Sequence, residues 1–431
     1  MTMPLLYSLF ILSALFFSGT EFFRPEYALV GIGLLYGVLP GRSSSTFKFH
    51  TELIIIGLMF FSSGMSIVSQ TLLGYEFIWR DAMIFTRLAF YAAVIVFAAM
   101  AAKNIKNYKK ANILLIVIGV LMAALSFAQY VNFMNINTIL LPASGARYIW
   151  LQEGSSWRRV LGTLDNPNYW GLALSMVLSF IIYRILWQGK LLYLPLFFAL
   201  ITSIFLTGSR TSLICTIGGP VIGGLFLWHT NKEKPRIVIA LIAIGLGIIF
   251  IAATQVTKYY ENENRYSTSN IDTLYDRISL WERAWEASST NPIAVIFGRG
   301  PRKGENVIED FVDNTYVRSW QESGLLGLGL YLALVYTMIK RTLRLVRDTQ
   351  GSYKDWSRGL LFLLFSWSIF GITADAWLFV RTTSIILGMY IFIHSVTRNE
   401  HASLANLKTV AASFPPQRNL IYPNRTVTLR K

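Results

Sequence analysis

LLYLPLFFALITSIFLTGSRTSLICTIGGPVIGGLFLWH, residues 191–229, decides the fold. It holds two apolar runs, each near the ~20 residues an α-helix needs to cross a bilayer, parted only by TGSR at 207–210. So short a gap makes a hairpin of the two runs and leaves Arg210 at a membrane boundary. The pattern extends outward in both directions. The chain has 431 residues, 54% hydrophobic and 14% charged, with mean hydropathy +0.47, which is far too apolar for a soluble enzyme of that length. About twelve segments qualify as spans: roughly 4–20, 25–40, 51–70, 83–102, 111–130, 167–187, 191–207, 211–229, 236–256, 323–340, 358–373 and 375–395. The expected fold class is all-α, a polytopic membrane protein of about twelve transmembrane helices. The first segment has no basic leading region and no small-residue cleavage site, so it reads as a retained helix rather than a removed signal peptide.

A net charge of +16 in a soluble protein would suggest a nucleic-acid partner, but here the basic residues sort by loop. Alternate connections 41–50, 102–110, 230–236 and 340–358 carry KNIKNYKK, NKEKPR and IKRTLRLVRDTQGSYKDWSR, and the segment 396–431 adds more Lys and Arg. The positive-inside rule places these in the cytoplasm, with both termini. No nucleic-acid partner is expected. The expected organisation is a transmembrane domain over 1–398 and a basic, loosely ordered cytoplasmic tail over 399–431. Two long loops, 131–166 and 257–322, then face outward. In the second, DRISLWERAWEASSTNP (276–292) places Ile278, Trp281, Ala284 and Trp285 at helical spacing, an amphipathic helix that lies on the bilayer or caps the bundle.

The outward face gathers the polar residues that can carry chemistry. Arg210 reads either as an interfacial cation that snorkels to water, with Ser209 and Thr211 as helix caps, or as an anion contact. SSWRRVLGTLDNPNYWG, 155–171, brings Arg158 and Arg159 to the same face just ahead of a helix start. There Asn166 suits the N-cap and Pro167 the first turn. Guanidinium forks beside free helix N–H groups fit a diphosphate, although NPN is also ordinary capping chemistry. In EDFVDNTYVRSWQESGLLGLGLYL, 309–332, Asp313 and Glu322 sit near the return of the chain to the membrane, with Arg318 between them. Either carboxylate is a candidate general base for a sugar hydroxyl, against a solvated loop in which Glu322 and Ser323 cap the next span. Asp375 and Arg381 flank the last span and read as a capping acid and a buried structural cation. His50, His229, His394 and His401 all fall on or near the cytoplasmic side, so an outward site uses none of them. The lone Cys215 forms no intrachain disulfide, and no Cys/His set suggests a metal.

RVLGTLDNPN (159–168), TGSR (207–210), LWERAWEASSTNPIAVIFGRG (280–300) and DNTYVRSWQESGLLGLG (313–329) together resemble the conserved stretches of the O-antigen ligase and O-antigen polymerase superfamily, in the expected order over about 155–340. The resemblance implies a GT-C-like glycosyltransferase of the bacterial inner membrane that needs no metal or cofactor. Its donor would be an undecaprenyl-diphosphate glycan and its acceptor a sugar on the outer face, with a chain-length regulator and a flippase as associated proteins. In that family external arginines hold the donor diphosphate, which matches the reading of Arg210 and Arg159 above. The expected catalytic residues are therefore Arg210, Asp313 and Glu322, and the expected substrate contacts are Arg158, Arg159, Asn166, Asn168, Ser209, Arg277, Arg302, Asn314 and Tyr316. The ligase branch uses a histidine beside its asparagine–tyrosine element, where this chain reads Val312, Asp313, Asn314. That departure favours the polymerase branch. Ligation to an acceptor such as lipid A-core is the alternative. A lipid-linked sugar transporter is a further one, against which stand the absence of internal repeats and the clustering of polar residues at one face.

Overall fold

The computed structural model describes residues 3–16, 25–38, 50–103, 108–140, 159–231, 269–301, 313–349, 351–375, 377 and 380–413. The principal helices are α1 (Met3–Phe16), α2 (Pro25–Val38), α3 (Thr51–Leu72), α4 (Met83–Lys103), α5 (Tyr108–Val131), α6 (Pro167–Gln188), α7 (Leu194–Leu206), α8 (Arg210–Asn231), α9 (Ser269–Ser289), α10 (Pro292–Phe297), α11 (Thr315–Asp348), α12 (Gly351–Thr373) and α13 (Val380–Ser413). The described residues contain no strand. Among the described residues, eight helices are long and apolar enough to cross a membrane, and Pro4–Phe16, Glu26–Leu35 and Leu191–Leu206 are shorter apolar helices. The chain is a multi-pass membrane protein. Segment 236–256, expected as the ninth span, lies outside the described residues; every other expected span coincides with a helix.

Helices alternate in direction, so one end of the bundle collects the C-termini of α1, α3, α5, α7 and α12 and the N-termini of α2, α4, α6, α8, α11 and α13. Hydrogen bonds tie these ends together. Thr163 Oγ1 donates to the Leu15 carbonyl, Gln129 exchanges bonds with the backbone of Gly162 at 2.8 and 3.1 Å, and Val160 N–H donates to Leu206 O at 3.0 Å. Between the spans, small residues let backbones approach, since lipid supplies no hydrophobic drive to bring helices together. A Cβ on Gly171 of α6 would lie 2.2 Å from Ser212 Oγ of α8.

Two expected helix starts change at this end. The span expected to begin at 323 starts as helix at Thr315, because Asn314 Oδ1 accepts from the N–H groups of Tyr316 and Val317 at 2.9 and 3.0 Å. Asn314, not Glu322 or Ser323, is the cap. The ladder then breaks inside α11 at Gly324, with φ 65° and ψ −167°, a conformation open almost only to glycine. The break frees the Glu322 carbonyl, which accepts from Ser66 Oγ of α3 and, at 3.2 Å, from Gly300 N–H. Irregular backbone within an apolar helix persists where protein re-satisfies it, as here. The last span starts at Val380 rather than 375, since Asp375 turns aside to Arg318. The last helix also runs on to Ser413, so 399–413 is helical rather than loosely ordered; 414–431 lies outside the described residues.

The amphipathic segment forms α9 and caps the bundle. Ala284 is fully buried and packs with Leu280, Trp281 and Val317 of α11. Trp285 leans on Trp320 with ring centroids 4.1 Å apart, while Ile278 and Trp285 stay largely exposed.

Candidate functional site

At the collected end, the turn between α7 and α8 and the approach to α6 interlock. Asn166 accepts from Asn168 N–H at 2.9 Å, the expected N-cap, with Pro167 in the first turn. Asn168 then uses its own side chain outward: Oδ1 accepts from Ser209 Oγ at 2.8 Å. Ser209 Oγ in turn accepts from Ser212 N–H at 3.1 Å, which makes it the cap of α8. Asn166, Asn168 and Ser209 therefore build the local frame, and Arg210 emerges from it as the first residue of α8.

Arg159 lies against the same turn. Its Nε donates to Thr207 O at 2.9 Å and its Nη2 to Gly208 O at 3.4 Å. Burial, and next the charge of Arg210, push the Arg159 pKa down to about 10. Arg159 thus lies on the turn that leads into Arg210, and two guanidinium groups from distant parts of the sequence share one place. Such ground favours an anion between them. Arg210 itself is exposed. Arg158 and Arg302 lie outside the described residues.

A second group surrounds the C-terminal turn of α12. A helix end leaves carbonyls without intrahelical partners, and here side chains supply them. Tyr316 Oη donates to Ser368 O at 2.8 Å, Asn314 Nδ2 to Ile372 O at 2.8 Å, Arg277 Nη1 to Thr373 O at 3.0 Å, and Thr315 Oγ1 to Ala374 O at 3.1 Å. Arg277 Nη2 also pairs with Asp313 Oδ2 at 3.6 Å, and 44% of the Asp313 side chain is exposed. Asp313 thus stands accessible at the bundle mouth with a cation beside it.

Glu322 is placed differently. Its Oε1 accepts from Arg318 Nε at 2.9 Å, and Arg318 Nη1 lies 3.3 Å from Asp375 Oδ2, with the three side chains only 12%, 6% and 1% exposed. An arginine shared by two buried carboxylates is a framework feature, which leaves Asp313 the more accessible candidate acid. Asp375 and Arg381 do not pair with each other: Arg381 Nε meets the fully buried Glu26 at 3.0 Å. Tyr169 joins the two groups, its hydroxyl donating to the Asp375 carbonyl at 3.3 Å. The i,i+4 spacing of Arg318 and Glu322 was visible in the sequence. Asp375 as the second partner, Glu26 and Ser66 were not, because each contact joins residues far apart in the chain.

Residues 195–332 match the family model described as O-antigen ligase. The matched region runs from α7 to just beyond the break in α11 and includes Ser209, Arg210, Arg277, Asp313, Asn314, Tyr316 and Glu322, while Arg159 and Asn168 precede it. Over this stretch the match bears out the resemblance to the O-antigen ligase and polymerase superfamily. No curated protein matches the chain.

Proposed function

We propose that the protein is a GT-C-like membrane glycosyltransferase that polymerises oligosaccharide repeat units carried on undecaprenyl diphosphate. Its site end would face outward from the bacterial inner membrane, with both termini in the cytoplasm. The observation that carries this reading is the shared position of Arg159 and Arg210 in a chain with an O-antigen ligase match. In the reaction, an acceptor hydroxyl attacks the anomeric carbon of the donor sugar. The new glycosidic C–O bond forms as the bond to the diphosphate oxygen breaks, and the lipid diphosphate leaves. Arg210 and Arg159 would bind that diphosphate and stabilise the charge it gains. Arg277 would assist, along with Arg302 and Arg158. Asp313 would take the hydroxyl proton, with Glu322 the other acid near this point. Diphosphate is a good leaving group, so placement and charge stabilisation do most of the work, and no metal is invoked.

Purified protein in nanodiscs, given a lipid-diphosphate oligosaccharide alone, should extend it into longer chains. Absence of any new glycosidic bond, with transport of the lipid instead, would refute the reading. The description of the matched family favours a second acceptor, since a ligase would transfer the glycan to another lipid such as lipid A-core. Extension without that acceptor separates polymerase from ligase.

A further inference from the structure

The donor-side and acceptor-side groups described above come from different helices, yet one structural element touches both. The turn at 368–375 receives side chains from α6 (Tyr169), α9 (Arg277) and α11 (Asn314, Thr315, Tyr316) on its carbonyls. From there the contacts run one way through Tyr169 to the adjoining Asn168, to Ser209 and so to Arg210. They run the other way through Asn314 to the adjoining Asp313 and its partner Arg277. The turn is anchored at its end by Asp375 on Arg318, and Arg318 is itself held by Glu322 one helical turn along.

From this geometry we infer that Arg318 and Asp375 are a positioning pair for the transfer reaction, fixing the separation between the diphosphate-binding arginines and the acceptor-side Asp313. The inference rests on the proposed function. Neither residue needs to touch substrate: the pair sets the register of the α12 terminus against α11, and that terminus carries Tyr169 on one side and Asn314 on the other. A buried guanidinium held by a hydrogen bond to Glu322 at 2.9 Å and by charge to Asp375 at 3.3 Å suits this task, because the hydrogen bond fixes its direction and the ion pair its distance. Reaction rates are sensitive to such placement; a misplacement of about 1 Å can cost about a hundredfold.

Conservative changes in length test the pair. Arg318→Lys keeps the charge on a shorter, unforked side chain, and Asp375→Glu keeps it on a longer one. Each single variant should lose about tenfold or more in turnover while the donor KM stays within about twofold, since the diphosphate contacts are untouched. The paired variant should recover much of the loss, because one change offsets the other. A second readout is independent of activity. Spin labels on the exposed positions Thr202 of α7 and Glu286 of α9, as cysteines in a Cys215→Ser background, should give a narrow distance distribution. The single variants should broaden it and the paired variant should narrow it again. Wild-type turnover in both single variants, a loss confined to donor KM, or an unchanged distribution despite lost turnover would overturn the pair. Absence of transfer by the wild-type protein would instead defeat the proposed function, and the distance measurement would still judge the pair.

Discussion

Two charge clusters at opposite ends of the bundle are built in opposite ways. At the end away from the candidate site, Glu52 is wholly buried and saturated: Arg341 Nη1 reaches both of its oxygens at 2.9 Å, and Tyr390 donates to Oε1 at 2.5 Å. His50 lies 3.9 Å away, its pKa lowered chiefly by burial, so it is neutral at pH 7 and leaves one acid facing one base. At the site end, Arg159 and Arg210 are like charges, and after burial the charge of Arg210 lowers the Arg159 pKa further. Opposite charges in contact need no ligand to be stable, whereas like charges brought together gain from an anion placed between them. The Glu52 cluster therefore reads as a structural clamp and the Arg159–Arg210 pair as a binding surface.

Substitutions can break that contrast. Arg210→Ala should lower polymer formation by about a hundredfold or more with protein level unchanged, and Arg210→Lys should fail as well if the fork matters. At the far end, Glu52→Gln should act on stability instead. It removes one partner of a buried pair and should cost about 2–3 kcal/mol, with turnover per folded molecule preserved. Thermal midpoint and activity measured on the same preparation check both; equal loss of turnover at the two ends would dissolve the distinction.

Smaller effects sharpen it. Gly324→Ala forces a side chain into a glycine-only conformation and sets its Cβ 2.2 Å from Ile296 O. It should cost about 1–3 kcal/mol and loosen α10 against α11, readable as faster hydrogen exchange at Gly298 and Gly300. Asp313→Asn should change stability by no more than about 1 kcal/mol, since its pair with Arg277 is partly exposed. If Asp313 takes the acceptor proton, the same variant loses turnover out of proportion to that change; unaltered turnover removes it from the mechanism.

Much of this arrangement is legible in the chain because its determinants are local. Asn166-Pro167 announces the start of α6, TGSR announces the α7–α8 hairpin, and the spacing of Ala284 and Trp285 announces α9. Each depends on backbone needs met within a few residues. The convergence of Arg159 on Arg210 follows from topology, since both loops belong to the same side of an alternating bundle. What sequence reasoning misses are partners chosen across the fold. Nothing near Asp375 says that Arg318 will claim it, nothing near Arg381 points to Glu26, and the serines of α3 look like an ordinary polar stripe until the broken turn at Gly324 requires a donor. Glu322 shows both sides: its i,i+4 partner Arg318 is legible, and the sharing of that arginine with Asp375 is not.

The central claim is that Arg159 and Arg210 together grip a lipid-linked diphosphate. Binding of undecaprenyl diphosphate and of the matching monophosphate to the purified protein in nanodiscs, compared between wild type and Arg210→Ala, tests it most directly. The account predicts that the wild type prefers the diphosphate and that the variant loses about tenfold or more of that affinity and most of the preference. Equal affinity of the two proteins for the diphosphate lipid would contradict it.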